Sequence, residues 1–263
     1  MQTWTIGSYV IEYWEDSHTY LVNGIILPSI TTILKKKFEN KYQGVDERIL
    51  EIASQKGTEM HQAIQDYEED GINDLNNREL QNYIFLKKHY KWQVISSEIP
   101  VILFLDDVPV AIGRLDQIIE MNGERGVNDF KRTATFDKEY VAYQTNLYKI
   151  AYEQTYHIPL SFVSGTHLRE EKRKFYKLPV NEEMAMKLVK EYLEKKEMYR
   201  FKKEKFDKIK LNQAKIAEEV GITRQYMNSI YNQATLCKKT TAYAITKSID
   251  NNAEIKDFFE EAK

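Results

Sequence analysis

The sequence predicts an α/β fold, a mixed central β-sheet flanked by helices, followed by a small all-α helix-turn-helix domain. Three observations predict it. Strand-like runs cluster in the middle of the chain, separated by turn pairs such as Asn122-Gly123. Helical periodicity brackets those runs on both sides, which indicates a layered core of about 180 residues. Near the C-terminus two short apolar-periodic stretches meet at Gly221. The boundary is expected inside or just after a long charged helix, giving domains 1–205 and 206–263.

In chain order, Tyr9 to Thr32 alternates apolar and polar residues around Asn23-Gly24, a hairpin pattern, and Pro28-Ser29 opens a helix. Asp46 to Asp70 and Asn76 to Trp92 carry helical period, broken at Gly71 to Asn73. Val101 to Leu105 and Val108 to Glu120 read as strands around Asp106-Asp107, and Asn122-Gly123 turns the chain into a strand from Gly126 to Arg132. Helical period returns from Tyr140 to Tyr156. Leu160 to Leu168 and Phe175 to Val180 read as two further strands, and Asn181 to Lys205 as the long charged helix. The acidic tail with Glu254, Asp257, Glu260 and Glu261 is expected as a surface helix or partly disordered segment.

Composition narrows the chemistry. The 263 residues are 42% apolar and 30% charged, with no run approaching the ~18 apolar residues of a spanning helix, so no membrane partner is expected. The opening Met-Gln-Thr-Trp-Thr-Ile has neither the basic nor the apolar region of a signal peptide, and the expected location is cytoplasmic. A single cysteine, Cys237, excludes an internal disulfide framework, a thiolate zinc cage and a cysteine-ligated iron–sulfur cluster within one chain. A metal site must then use histidine and carboxylates, which suit hard cations such as Mg²⁺ or Mn²⁺.

The central hairpin holds the strongest candidates. Asp116 follows Gly113-Arg114-Leu115, and the partner strand reads Asn128-Asp129-Phe130-Lys131. Residues two apart on a strand share a face, so Asp129 and Lys131 project together while Phe130 turns toward the core. Asp116 can reach the same spot across the hairpin. Two carboxylates and a lysine at one pocket suit phosphodiester hydrolysis, where a held divalent ion neutralises developing charge and the lysine steadies water or phosphate. The same three residues also suit a surface salt bridge.

Further residues stand in a fixed order around this hairpin: His61 in Gly57-Thr58-Glu59-Met60-His61, Glu98 in Ser96-Ser97-Glu98-Ile99-Pro100, and Gln144 and Tyr148 four apart on one helix. Gly-x-x-x-His, Glu, Gly-x-x-Asp, Asp-x-Lys and Gln-x-x-x-Tyr in this order resemble the PD-(D/E)XK nuclease superfamily, in its RecB-like and phage-type exonuclease branch. The resemblance spans residues 9 to 180, and His18-x-Tyr20, Asn23-Gly24 and Pro28-Ser29-Ile30-Thr31 are similar to the N-terminal signature of phage members.

The resemblance implies a restriction-endonuclease-like core. It implies that His61, Asp116 and Asp129 bind the divalent metal with the Phe130 carbonyl, that Lys131 is the catalytic lysine, and that Glu98 is an accessory acid. Gln144 and Tyr148 match the motif that contacts DNA and braces the site. Relatives with an iron–sulfur cluster use four cysteines, which this chain lacks. There is no phosphate-loop motif, so a helicase or motor would act in trans.

From Gln213 the chain reads Gln-Ala-Lys-Ile-Ala-Glu-Glu-Val-Gly-Ile-Thr-Arg-Gln-Tyr-Met-Asn-Ser-Ile-Tyr. Ile216, Ala217 and Val220 share a face, Gly221 permits the turn, Thr223 caps the next helix, and Met227 and Ile230 give it a buried side. This resembles the Cro/repressor-like helix-turn-helix family, with Thr240 to Ile249 as a following helix. Arg224, Gln225, Asn228 and Ser229 would then front the recognition helix. Between Lys195 and Ile249 lie thirteen basic and five acidic residues, an excess of +8 that leaves −10 elsewhere in a chain of net charge −2. Overall neutrality therefore conceals a stretch suited to phosphate.

These readings converge on a metal-dependent DNA nuclease, an exonuclease of phage DNA processing or recombination, with DNA as partner and a recombinase, annealing protein or helicase acting in trans. Two rivals stand beside it: a catalytically silent DNA-binding regulator, and an inhibitor or interaction protein built on the same fold. Oligomeric state has no signal in the sequence.

Overall fold

The computed structural model of the chain describes residues 1–14, 19–196, 198–206 and 212–262. It resolves two compact units, residues 1–188 and 189–263.

The first unit opens on a four-stranded antiparallel meander of β1 (Gln2–Ile6), β2 (Tyr9–Trp14), β3 (Thr19–Val22) and β4 (Ile25–Leu27). Asn23-Gly24 is the turn between β3 and β4, both residues lying at positive φ (50° and 78°). His18 of the N-terminal signature lies outside the described residues. Ser29 caps α1 (Ile30–Lys37), its Oγ accepting the Thr32 N–H at 3.0 Å. Next come α2 (Glu47–Asp70) and α3 (Arg78–Tyr90), in the stretches where the sequence carries helical period, capped by Asp46 and Asn77.

A second sheet carries the core. Its strands β5 (Gln93–Leu105), β6 (Val108–Met121), β7 (Glu124–Lys131), β8 (Phe162–Arg169) and β9 (Lys172–Leu178) lie side by side in chain order. All neighbours are antiparallel except β7 and β8, which run parallel because α4 (Lys138–Tyr156) carries the chain back between them. The sheet is therefore mixed and flanked by helices, as the sequence predicts. Ile119, Phe130, Phe162 and Leu168 pack with Met60, Ile64, Leu80 and Tyr83 of α2 and α3. On the other face Gly165 lies beneath Phe136 and Val141, where an added Cβ would come within 2.6 Å of the Phe136 ring.

The second unit differs from the sequence reading in two respects. The helix α5 (Glu182–Lys196) stops well before Lys205, and Met198–Phe201 forms a strand, β10. The small domain is thus not all-α: β10 lies between β11 (Cys237–Lys238) and β12 (Phe259–Glu261). Tyr199 and Phe201 sit in one core with Cys237, Phe258 and Phe259, so the unit begins upstream of residue 206. The acidic tail is accordingly structural. Glu254 caps the short α10 (Ile255–Phe258), whose last residue Phe258 is buried together with Phe259 after it. The helices between are α6 (Lys203–Phe206), α7 (Gln213–Val220), α8 (Arg224–Tyr231) and α9 (Lys239–Ile249).

The helix-turn-helix signal corresponds to α7 and α8. Asn212 caps α7, Gly221 ends it at φ 72°, and Thr223 caps α8. Ile216, Ala217, Met227 and Ile230 are buried between the helices.

Candidate active site

The ladder between β6 and β7 ends at the pair Gln117 and Asn128. The next residues are Asp116 and Asp129. There the Asp116 carboxylate takes the place of a ladder carbonyl, its Oδ2 accepting the Phe130 N–H at 2.6 Å. Asp129 and Lys131 share the face opposite the Phe130 ring and form an ion pair. Lys131 Nζ also donates to the Phe130 carbonyl at 3.3 Å, which brings that expected ligand atom beside the lysine. Asp129 is fully buried, and beyond the Lys131 ammonium neither of its carboxylate oxygens has a hydrogen-bond partner. A buried carboxylate left in that state calls for a cation.

A second group adjoins it. Ligand atoms of His61, Glu98 and Asp116 lie within 4.8 Å of one another. His61 Nδ1, presented by α2, is 3.7 Å from Asp116 Oδ1 and 3.8 Å from Glu98 Oε1. The sequence resemblance implies His61, Asp116 and Asp129 as the ligands, with Glu98 accessory. Among the described residues Glu98 groups with His61 and Asp116, and Asp129 stands outside that trio, engaged with Lys131.

The cause is local. Glu98 lies within β5 at φ 50°, between the ladder pairs Ser97/Gln117 and Ile99/Leu115, whose register it does not shift. A non-glycine residue held there inside a strand costs on the order of 1 kcal/mol and re-aims its side chain. Arg114, which sequence reasoning passed over, sits on the same strand face as Asp116, two residues away, and its Nε lies 2.7 Å from Glu98 Oε2.

Tyr148 and Gly113 explain one another. A Cβ at Gly113 would fall 2.6 Å from the Tyr148 ring, so the glycine of Gly-x-x-Asp makes room for the tyrosine of Gln-x-x-x-Tyr. Tyr148 is buried, and its burial, with Asp116 and Asp129 facing it, pushes its hydroxyl well above the usual range. Gln144 is also buried, with its Oε1 unpartnered, and it lines a polar cleft of about 270 Å³ together with Thr31, Lys35, Lys41, Lys131 and Asp137.

Burial raises the carboxyl of Asp116 and pushes that of Asp129 up to about 6, despite the pull of Lys131. Burial lowers His61, but Asp116 and Glu98 outweigh it and hold the imidazole above its ordinary value. All three groups bind protons more tightly folded than unfolded. Their contribution favours the fold at low pH and fades as pH rises, for Asp129 between 3.8 and about 6. The melting temperature of the metal-free protein is therefore expected to drop between about pH 5 and about pH 8. A divalent cation replaces those protons, so added Mn²⁺ should recover the loss at the upper pH and do little at the lower. Thermal melts in EDTA and in Mn²⁺ at both pH values check this.

In the second unit, Arg224, Gln225 and Asn228 are exposed on α8, and Arg224 makes no ion pair among the described residues. Ser229 is half-buried, and its hydroxyl donates back to the Gln225 carbonyl at 3.0 Å. It contributes less to the front of the helix than the other three.

No family model and no curated protein sequence matches the chain. Among solved structures, that of the protein SSO0001 matches with a TM-score of 0.37 and 12% identity, covering 63% of this chain and 73% of that one. A likeness at that level carries no argument. No helix among the described residues is long and apolar enough to cross a membrane.

Proposed function

We propose that the chain is a Mg²⁺- or Mn²⁺-dependent deoxyribonuclease of the PD-(D/E)XK type, acting as an exonuclease in phage DNA processing or recombination. One observation carries the reading: His61, Glu98, Asp116, Asp129 and Lys131 converge from four separate elements, around a buried carboxylate that has only the lysine for company. Structural salt bridges do not need a histidine and a third acid, nor a left-handed residue to aim one of them.

The donor set fits a hard divalent ion, which His61, Asp116, Asp129 and Glu98 would hold with the Phe130 carbonyl. Such an ion would neutralise charge developing at the scissile phosphate and acidify a water. Lys131 has two jobs available to its three donors: to orient the attacking water and to stabilise the charged phosphorus centre. Tyr148 keeps the carboxylates from relaxing away from one another. The cleft would supply Lys35 as a cation for backbone phosphate and the unpartnered Gln144 Oε1 as an acceptor for a donor on the incoming strand, while Lys41 in its wall is paired with Asp137 at 3.0 Å.

The second unit would engage DNA through Arg224, Gln225 and Asn228, in the manner of a recognition helix. A recombinase or annealing protein, or a helicase, would act in trans. A chain ending at residue 196 removes that unit without stranding Tyr199 and Phe201. It is expected to bind DNA several-fold more weakly, with a shallower dependence of log Kd on log salt, in filter-binding titrations. Unchanged slope and affinity would mean that the helix-turn-helix serves protein contacts.

End-labelled linear DNA compared with a closed circle, in Mg²⁺ or Mn²⁺, tests the enzymatic reading. Mononucleotides or short oligomers from the linear form alone support an exonuclease. Binding without cleavage would return the silent regulator, and neither binding nor cleavage the interaction protein.

A further inference from the structure

Arg114 lies against the proposed metal group without belonging to it. Its guanidinium carries positive charge beside three groups, His61, Glu98 and Asp116, that would hold a cation. Through Nε it holds Glu98 Oε2 at 2.7 Å, while Glu98 Oε1 points at His61 from 3.8 Å. The one carboxylate is thus shared between an arginine and the metal group. Arg114 Nη1 donates to Gln2 Oε1 of β1 at 3.3 Å, and its carbon lies 5.8 Å from the centre of the Tyr13 ring on β2. Its side chain keeps 34% of its surface exposed, and its Nη2 has no hydrogen-bond partner among the described residues. A planar fork with a spare donor at the mouth of an acidic site suits a phosphate oxygen.

Resting on the nuclease reading, we propose that Arg114 is a positioning residue that couples substrate to metal. With no DNA bound, it neutralises Glu98 and keeps that carboxylate from giving full charge to the ion, so the site holds metal weakly. A backbone phosphate draws the guanidinium toward itself, and Glu98 passes to the metal group. Its left-handed backbone, already aimed at His61 and Asp116, needs only a side-chain rotation to do so. Metal and DNA then bind cooperatively, and by linkage each tightens the other by the same factor.

The test is Mn²⁺ calorimetry on the full chain, alone and with a short phosphorothioate duplex that resists cleavage. In the wild type the duplex is expected to tighten Mn²⁺ binding about tenfold. Arg114→Gln should bind Mn²⁺ tightly without DNA and show no further gain with it. Arg114→Lys, which keeps the charge and loses the fork, should retain less than half of the wild-type coupling and serves if the glutamine variant folds poorly. Glu98→Gln should bind weakly in both conditions, and adding Arg114→Gln to it should change nothing.

Two results would overturn the proposal while leaving the nuclease reading intact. One is a duplex that does not alter Mn²⁺ affinity in a wild type that cleaves DNA. The other is an Arg114→Gln gain of equal size with and without Glu98, which would reduce the arginine to a bystander charge. A wild type that binds no Mn²⁺ and cleaves nothing would sink both together.

Discussion

Lys131→Ala is expected to lower the rate of linear-DNA degradation by at least about 10²-fold, the loss typical of removing one preorganised charge from a reacting centre. Asp129→Asn should cost as much or more, because it removes a metal-ligating charge. The two variants separate a functional from a structural role. In the metal-free protein the Asp129 carboxylate is buried with no partner but Lys131, and burial pushes its carboxyl up to about 6. Replacing it by a neutral isostere relieves that cost but also leaves the Lys131 ammonium without its paired charge, so the melting temperature in EDTA should fall, and activity should be absent at temperatures where the variant is still folded. If folded Asp129→Asn keeps its activity, the pair is a structural salt bridge and the enzymatic reading is wrong.

Glu79→Ala is expected to have the largest effect on stability. Arg132, immediately after the proposed catalytic lysine, turns to the α2 and α3 side of the sheet, where its Nε lies 2.7 and 3.0 Å from the two Glu79 oxygens. Both side chains are nearly buried, at 12% and 10% exposed. Removing the glutamate leaves a guanidinium without its counter-charge, at a cost of about 3 kcal/mol. The double variant Glu79→Met with Arg132→Met should recover most of that, since two apolar chains of similar size leave nothing unpaired. Urea denaturation reads both as shifts in midpoint at constant slope. A loss under about 1 kcal/mol for the single variant would mean that water screens the pair as it does at a surface.

The elements that were legible in the sequence are those with long local patterns. The helix α2, with Asp46 before it and Gly71 after it, the Asn122-Gly123 hairpin, and the Gly221 turn between α7 and α8 each declare themselves within a few residues. The candidate site residues were named by the order of their motifs along the chain, not by spacing alone. Spacing accounts only for Asp129 and Lys131 sharing a strand face and for Gln144 and Tyr148 lying one helical turn apart.

What escaped were features that depend on distant partners. Four residues, Met198 to Phe201, cannot display a period of two within a lysine-rich run, and β10 exists because Cys237 and Phe259 pair and pack on either side of it. The same holds for the tail, whose acidic composition masks two buried phenylalanines.

The sequence by itself determined the kind of fold of the first unit and the order of its longer elements, because hydrophobic period, caps and turn pairs act over short stretches of chain, and the order of its motifs named the candidate site residues. Only the tertiary structure decided how those residues group. It brought Glu98 together with His61 and Asp116, set Arg114 against it, and left Asp129 buried with Lys131. Those arrangements follow from the positive φ of Glu98 within β5 and from where the β6–β7 ladder ends, and such points are fixed by packing between strands rather than by any local run of residues.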